Sequence, residues 1–91
     1  ECMIMDAARR RDAGEDVTLL ASSTKLFATE ACGRVADRAV QVFGGAGYVS
    51  DYGIERFYRD VRIFRLYEGT SQIQQIIIAR ELAKAAKAGR L

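Results

Sequence analysis

Residues 17–43 carry an unbroken helical periodicity, and this run constrains the fold more than any other feature of the sequence. Apolar and small residues recur in it at spacings of three and four, which places them on one face of an α-helix. They are Leu20, Thr24, Phe27, Ala31, Val35, Ala39 and Val42. The chain contains no Pro, and Gly44-Gly45 is the first strong helix stop after this run. We predict one helix from about Val17 to Phe43, in which Gly33 costs about 1 kcal/mol relative to Ala.

Similar signals predict three shorter helices, one before the long helix and two after it. The helix before it runs from about Glu1 to Ala13 and ends at Gly14, a residue type favoured just after a helix. A third helix is predicted from about Gly53 to Val61, and a fourth begins at Thr70 or Ser71 and ends near Gly89. No segment alternates as a strand would. The predicted class is therefore all-α, an up-and-down helical bundle with about four helices in a single domain over residues 1–91.

Residues at the helix ends support these boundaries. Asp16 is a good N-cap for the long helix, because its carboxylate can accept hydrogen bonds from free backbone N–H groups. Ser71 and Gln74 have the spacing of a capping box at the start of the fourth helix. Lys84 and Lys87 lie near the end of that helix, where the helix dipole favours cations.

Composition excludes several classes of function. Lys and Arg number 14 against 12 acidic residues, a balance too even to indicate a nucleic-acid or membrane partner. The chain has no His, which rules out His-based acid–base chemistry and His metal sites, and we predict no metal. Cys2 and Cys32 form no CxxC pair and are interpreted as two buried or idle thiols of an intracellular protein. No apolar run is long enough for a transmembrane helix.

Glu68 is the first candidate for chemistry. It stands before Gly69 and just ahead of the fourth helix, after the apolar residues Ile63, Phe64, Leu66 and Tyr67. Those neighbours would desolvate the carboxylate and raise its pKa toward the range of a useful base. On these residues alone, a Glu stabilised by the helix dipole is the simpler interpretation.

A glycine-rich segment follows the long helix, from Gln41 through Gly44-Gly45 to Tyr48. Its Gly45-Ala46-Gly47 part resembles a dinucleotide-binding loop, but it follows a helix and not a strand, so that interpretation fails. Backbone without side chains can still approach a ligand closely. A plain helix stop and turn is the simpler interpretation.

Two further polar patterns allow more than one interpretation. Arg56, Arg59, Arg62 and Arg65 recur every third residue and could meet phosphate, but a solvated or salt-bridged face is the better prediction. The Thr70-Ser71-Gln72 segment offers hydroxyls, an amide and free helix N–H groups, which suit a polar or anionic contact and suit capping equally well.

The joint spacing of these features resembles the C-terminal helical domain of the FAD-dependent acyl-CoA dehydrogenases, over essentially the whole chain. About 23 residues separate the glycine block from the Glu-Gly-Thr-Ser-Gln block, which is far more specific than either motif alone. The matching blocks are Gln41-Val42-Phe43-Gly44-Gly45-Ala46-Gly47-Tyr48, Arg59-Asp60-Val61-Arg62-Ile63, Tyr67-Glu68-Gly69-Thr70-Ser71-Gln72-Ile73-Gln74 and Ala79-Arg80.

The resemblance implies that residues 1–91 are a fragment of a three-domain flavoenzyme that places a double bond between the α and β carbons of an acyl-CoA thioester. Glu68 matches the base that removes the α proton, while the β hydrogen leaves as hydride to FAD. The backbone N–H of Glu68 is implied as one hydrogen-bond donor to the thioester oxygen. Tyr67 and Gly69 are implied to lie beside the substrate.

The same resemblance implies the cofactor contacts and the partners. Residues matching FAD contacts fall into two groups, the second of which touches the adenosine half of an FAD held chiefly by a neighbouring subunit. The first group is Thr70, Ser71 and Gln72, and the second is Gln41, Val42, Phe43, Gly44 and Gly45. An oligomer follows, commonly a homotetramer built as a dimer of dimers, with an electron-transferring flavoprotein as electron acceptor.

Branches of the family differ in the position of the base. Relatives for isovaleryl and long-chain substrates carry it on an earlier helix, and the presence of Glu68 disfavours them. The alternative function is a non-catalytic binding or regulatory protein on the same fold, against which the intact Glu68 and the balanced charge argue. We expect the isolated chain to be inactive. The expected location is the cytoplasm in a bacterium, or the mitochondrial matrix in a eukaryote.

Overall fold

Four α-helices form the chain in a computed structural model that describes residues 1–91. They are α1 (Cys2–Asp12), α2 (Thr18–Phe43), α3 (Ile54–Arg62) and α4 (Ser71–Lys87). Three short 3₁₀ turns lie between α2 and α4, at Gly44–Gly47, Ser50–Tyr52 and Ile63–Arg65. The all-α class and the four helices are confirmed, and each helix end falls within two residues of its predicted position.

Glycines end the first and last helices by the same hydrogen-bond pattern. After α1, Gly14 has φ +81°, and the N–H of Glu15 donates to the carbonyl of Arg10 at 3.0 Å. After α4, Gly89 has φ +72°, and the N–H of Arg90 donates to the carbonyl of Ala85 at 2.8 Å. In both cases the left-handed residue satisfies helix carbonyls that would otherwise lack partners.

Asp16 caps the start of α2. Its carboxylate accepts hydrogen bonds from the backbone N–H of Thr18 at 3.0 Å and from the Thr18 hydroxyl at 2.7 Å. These bonds, the backbone one first, hold the pKa of the Asp16 carboxyl below its ordinary value, with a smaller contribution from the nearby charges of Lys84 and Arg90. The predicted capping role of Asp16 is thereby confirmed.

Contacts within the chain divide it into two compact units. The first unit consists of Glu1–Phe27 together with Ser71–Leu91, and it contains α1, the beginning of α2 and all of α4. The second unit, Ala28–Thr70, contains the rest of α2, all three 3₁₀ turns and α3. Glu68 and the glycine segment both belong to the second unit, so that unit carries most of the predicted site.

Neither unit buries a large apolar core. Ala36 is the one buried hydrophobic side chain, and the other buried residues are Gly47 and four polar residues: Ser22, Thr24, Ser71 and Gln74. The apolar stripe of α2 is present, but Val35 is 67% exposed and Val42 is 85% exposed. A helix buries its apolar face only where another element covers it, and three of the seven residues of this stripe, Phe27, Val35 and Val42, are exposed. None of the helices is both long enough and apolar enough to cross a membrane.

Candidate active site

The predicted base follows a tightly folded turn at the end of α3. Within it, the backbone N–H groups of Leu66 and Tyr67 both donate to the carbonyl of Ile63, at 2.9 and 3.1 Å. The rings of Phe64 and Tyr67 stack, with centroids 6.0 Å apart and planes inclined by 23°. The main chain is therefore held by hydrogen bonds up to the residue immediately before Glu68.

Glu68 itself has an unusual backbone conformation. Its φ angle is +53°, and it is the one residue other than Gly with a positive φ in the chain. Gly69 follows with φ +89°, so two consecutive residues are left-handed before α4 begins at Ser71. For a residue with a Cβ, this conformation costs about 1–2 kcal/mol, and such residues cluster at functional sites. A strained carboxylate at the head of a helix is thus the most distinctive local feature of the second unit.

The predicted desolvation of Glu68 is wrong for this chain. Glu68 is exposed, and so are three of the apolar residues that precede it, Ile63, Leu66 and Tyr67. Only Phe64 of that group is half-buried. Apolar neighbours in sequence exclude water from a carboxylate only when they fold over it, and here they lie on the surface beside it.

The three residues after Gly69 differ in their surroundings. Thr70 is half-buried and immediately precedes α4, Ser71 is 5% exposed, and Gln72 is exposed. Ser71 and Gln74, the predicted capping pair, are both buried, and both take part in polar or electrostatic interactions. The burial of Ser71 fits a structural role at the helix start, whereas Gln72 is accessible to a ligand.

The glycine segment consists of the last residues of α2 and the first residues of the turn that follows, and it faces solvent. Gln41, Val42 and Phe43 form its last helical residues, and all three are exposed, as are Gly44 and Gly45. Gly44 has φ +63°, which favours glycine, whereas a Cβ on Gly45 would meet nothing within 4 Å. These five residues therefore form an accessible segment with little side-chain bulk at its tip.

Gly47 has a different role from its neighbours. It is buried, and a Cβ there would lie 2.4 Å from the carbonyl oxygen of Val40 and 3.0 Å from the Cβ of Phe43. Close packing of the Gly44–Gly47 turn against the last turn of α2 thus requires a glycine at this position. The sequence indicated a glycine-rich loop but not which glycine the packing demands.

Residues 1–83 match the family model described as the C-terminal domain of acyl-CoA dehydrogenase. The chain belongs to the acyl-CoA dehydrogenase family. It is 46% identical over 84 residues to cyclohexane-1-carbonyl-CoA dehydrogenase of Geobacter metallireducens, covering 92% of this chain and 22% of that protein.

Two further similarities extend the comparison. A subunit of the caffeyl-CoA reductase–Etf complex of Acetobacterium woodii is 44% identical over 82 residues, which are 90% of this chain and 22% of that subunit. The crystal structure of a probable acyl-CoA dehydrogenase from Mycobacterium abscessus superimposes with a TM-score of 0.84 at 41% identity, covering 89% of this chain and 22% of that one. The chain therefore spans about a fifth of the length of these relatives.

An ion pair between Arg65 and Glu30 in this acyl-CoA dehydrogenase segment was not predicted from the sequence. Of the four regularly spaced arginines, Arg56, Arg59 and Arg62 are exposed, but Arg65 turns to α2 and pairs with Glu30 at 3.3 Å. The preference for a salt-bridged over a phosphate-binding arrangement is thus confirmed for Arg65. Gly33 in the middle of α2 was the available signal, since the Arg65 guanidinium occupies the space that a side chain there would fill.

A surface groove of about 680 Å³ also lies in the second unit, away from the predicted base. Neither Glu68 nor any residue within two positions of it contributes to this groove. Its walls are Asp37, Val40, Gly47, Tyr48, Glu55, Tyr58, Arg59 and Arg62. The largest described groove volume therefore does not identify the candidate site in this segment. The site is identified by the strained backbone at Glu68 and by the types of residue around it.

Proposed function

We propose that this chain supplies the catalytic base of a FAD-dependent acyl-CoA dehydrogenase, with Glu68 removing the α proton of an acyl-CoA thioester. The observation that carries the proposal is the left-handed backbone at Glu68, φ +53°, next to Gly69 at the start of α4. A Gly or Asn would adopt this conformation at less cost, so a carboxylate held there suggests a chemical role.

The proposed chemistry needs a base and a stabilised negative charge. A carboxylate oxygen of Glu68 takes the α proton as the Cα–H bond breaks, and the electron pair of that bond forms the new double bond. The β hydrogen leaves with its own electron pair, and FAD, when bound, supplies the acceptor for that hydride. The backbone N–H of Glu68 is proposed as one donor to the thioester oxygen, where negative charge develops.

The residues present suit such a cofactor and substrate. Thr70, Ser71 and Gln72 are proposed to supply hydroxyl, amide and helix N-terminal donors to FAD; in this chain Gln72 is exposed, Thr70 is half-buried and Ser71 is buried. The exposed end of α2, Gln41, Val42, Phe43, Gly44 and Gly45, would contact the adenosine half of an FAD held by a neighbouring subunit. Tyr67 and Gly69 flank Glu68 and would lie beside the thioester and acyl chain.

The proposal includes partners beyond the substrate. The similarity to a subunit of a reductase–Etf complex supports an electron-transferring flavoprotein as the electron acceptor. The exposed apolar face of α2 supports assembly into a homo-oligomer, proposed as a dimer of dimers. Because the exposed Glu68 is not shielded from water, residues 1–91 alone are proposed to be inactive.

A second candidate is the reverse reaction, reduction of an α,β-unsaturated acyl-CoA. It is favoured by the similarity to a protein named as a caffeyl-CoA reductase subunit. The same residues would serve: protonated Glu68 would return a proton to the α carbon, and reduced FAD, when bound, would supply the hydride that adds to the β carbon. Measuring the initial rates in both directions, with dye acceptor and with reduced electron-transferring flavoprotein, distinguishes the two candidates.

Glu68→Gln in a full-length flavoenzyme carrying this segment tests the assignment of the base. Gln keeps the size and shape of Glu but cannot accept the α proton. General-base catalysis contributes about 10²–10⁴ in rate, so we expect kcat with octanoyl-CoA and a dye acceptor to fall by that order. The FAD absorbance should stay unchanged, which controls for folding. A kcat near the unmodified value in both directions would mean that Glu68 is not the base.

A further inference from the structure

An ion pair joins the turn that precedes Glu68 to helix α2. Arg65 closes the Ile63–Arg65 turn, and its Nη1 donates to Oε2 of Glu30 at 3.3 Å. The two side chains are only 29% and 33% exposed, so water screens this pair less than the surface pairs of the chain. Both partners lie in the second unit.

The Arg65 side chain packs against the backbone of α2 at Gly33. A Cβ at Gly33 would lie 3.1 Å from Nη1 of Arg65 and 3.6 Å from both its Cδ and its Cζ. Gly33 is three residues after Glu30, so the two positions are neighbours on the same face of α2. The side chain of Arg65 therefore lies against the bare backbone of the helix while its guanidinium bonds to the carboxylate one turn earlier.

This contact restrains a segment whose conformation requires support. A left-handed residue with a Cβ persists only where its surroundings over-determine the backbone. The N–H groups of Leu66 and Tyr67 already donate to the carbonyl of Ile63, so hydrogen bonds hold residues 63–67 together as one turn. Because Arg65 is part of this turn, its contact with α2 fixes the position of the whole turn. Glu68 is the next residue along the chain.

We infer that Glu30, Gly33 and Arg65 form a positioning clamp, which seats the Ile63–Arg65 turn on α2 and sets the location of the Glu68 carboxylate. The inference rests on the proposed function for its catalytic consequence. None of the three residues is assigned a contact with substrate or cofactor. The clamp acts through the backbone of residues 65–68.

The test uses Glu30→Gln, Arg65→Gln and the double variant in the full-length flavoenzyme. A displacement of about 1 Å at a reacting group can lower a rate on the order of 10²-fold, and we expect each single variant to lower kcat about tenfold. KM for the acyl-CoA should change less than twofold, because the clamp does not touch substrate. The double variant should match the single variants instead of multiplying their effects, since either change opens the same clamp.

Hydrogen exchange supplies a readout that does not depend on catalysis. The amides of residues 66–70 should exchange faster in all three clamp variants, while exchange over α4 stays unchanged. Arg56→Gln is the matched control, because Arg56 is an exposed arginine of α3 in the same unit. It should leave kcat and exchange at their original values. Arg65→Lys preserves the charge without the planar fork and should give an intermediate loss of kcat.

Two results would overturn the clamp. One is exchange at residues 66–70 in Arg65→Gln equal to that of the unmodified protein. The other is a multiplicative loss of kcat in the double variant, about a hundredfold, which would mean that the two residues act independently. If Glu68→Gln retains activity while exchange still rises in the clamp variants, the proposed base is wrong and the structural clamp stands.

Discussion

Two glycines of the same turn provide a sharp test of how the end of α2 is packed. Gly45 and Gly47 both belong to the Gly44–Gly47 turn, and neither has a left-handed φ. A methyl group on Gly45 would meet nothing within 4 Å, whereas on Gly47 it would lie 2.4 Å from the carbonyl oxygen of Val40. We therefore expect Gly47→Ala to destabilise the protein and Gly45→Ala not to.

The magnitude follows from comparing the two variants with each other. Replacing Gly by Ala at a tolerant site stabilises the folded protein by about 0.4–1 kcal/mol, because Ala lowers the conformational entropy of the unfolded chain. Both variants share this gain. The clash at Gly47 involves backbone, so the turn itself must move; such overpacking costs about 1–3 kcal/mol. The difference in unfolding free energy between the two variants is therefore about 1–3 kcal/mol. At about 4–8 °C per kcal/mol for a chain of this size, Gly47→Ala should melt at least about 4 °C below Gly45→Ala.

Thermal unfolding followed by circular dichroism at 222 nm measures this difference. The two variants should be compared at the same low protein concentration, because the exposed apolar face of α2 favours self-association. A urea titration of both variants at a fixed temperature checks that the order of stability is the same. Equal melting temperatures for Gly45→Ala and Gly47→Ala would refute the packing of Gly47 against Val40.

Two further predictions concern single residues. The pKa of Asp16 is depressed in the folded chain, so its carboxylate stabilises the fold above its ordinary pKa of 3.8 and this contribution is lost as the pH falls below that value. The difference in melting temperature between the unmodified chain and Asp16→Ala should shrink between pH 5 and pH 2; a difference that stays constant over this range would contradict the assignment. At Glu68, where φ is +53°, Glu68→Gly should be more stable than Glu68→Ala by about 1 kcal/mol in urea unfolding, the reverse of their order inside an ordinary helix.

Features governed by local chemistry could be predicted from the sequence. The stops at Gly14 and Gly89 need only a residue that tolerates positive φ, and both glycines adopt it. The start of α2 depends on Asp16 and its neighbour Thr18, two residues apart. In each case the residues that decide the structure lie within one helical turn of one another, which is the range over which sequence patterns are informative.

Features that depend on distant residues could not be predicted in the same way. Arg65 and Glu30 are 35 positions apart, and no local pattern identifies one as the partner of the other. The prediction that Glu68 lies in apolar surroundings was wrong for a related reason. Its apolar neighbours in sequence predicted a dry pocket, but a pocket is made by residues that approach from elsewhere in the fold. The role of Gly47 likewise depends on how the turn folds back on Val40.

The conformation of Glu68 and its exposure lead to one physical conclusion about the proposed enzyme. The local chain already sets the backbone of the base, through the hydrogen bonds to Ile63 and the left-handed angles at Glu68 and Gly69. It does not provide the low-dielectric surroundings that a carboxylate needs to remove a weakly acidic α proton. In the proposed function these two requirements are therefore met by different parts of the flavoenzyme: this segment holds the base, and other surfaces exclude water by covering Leu66 and Tyr67. Substitutions at Glu30 or Arg65 should then alter kcat through position, whereas substitutions in the covering surface should shift the pH dependence of kcat.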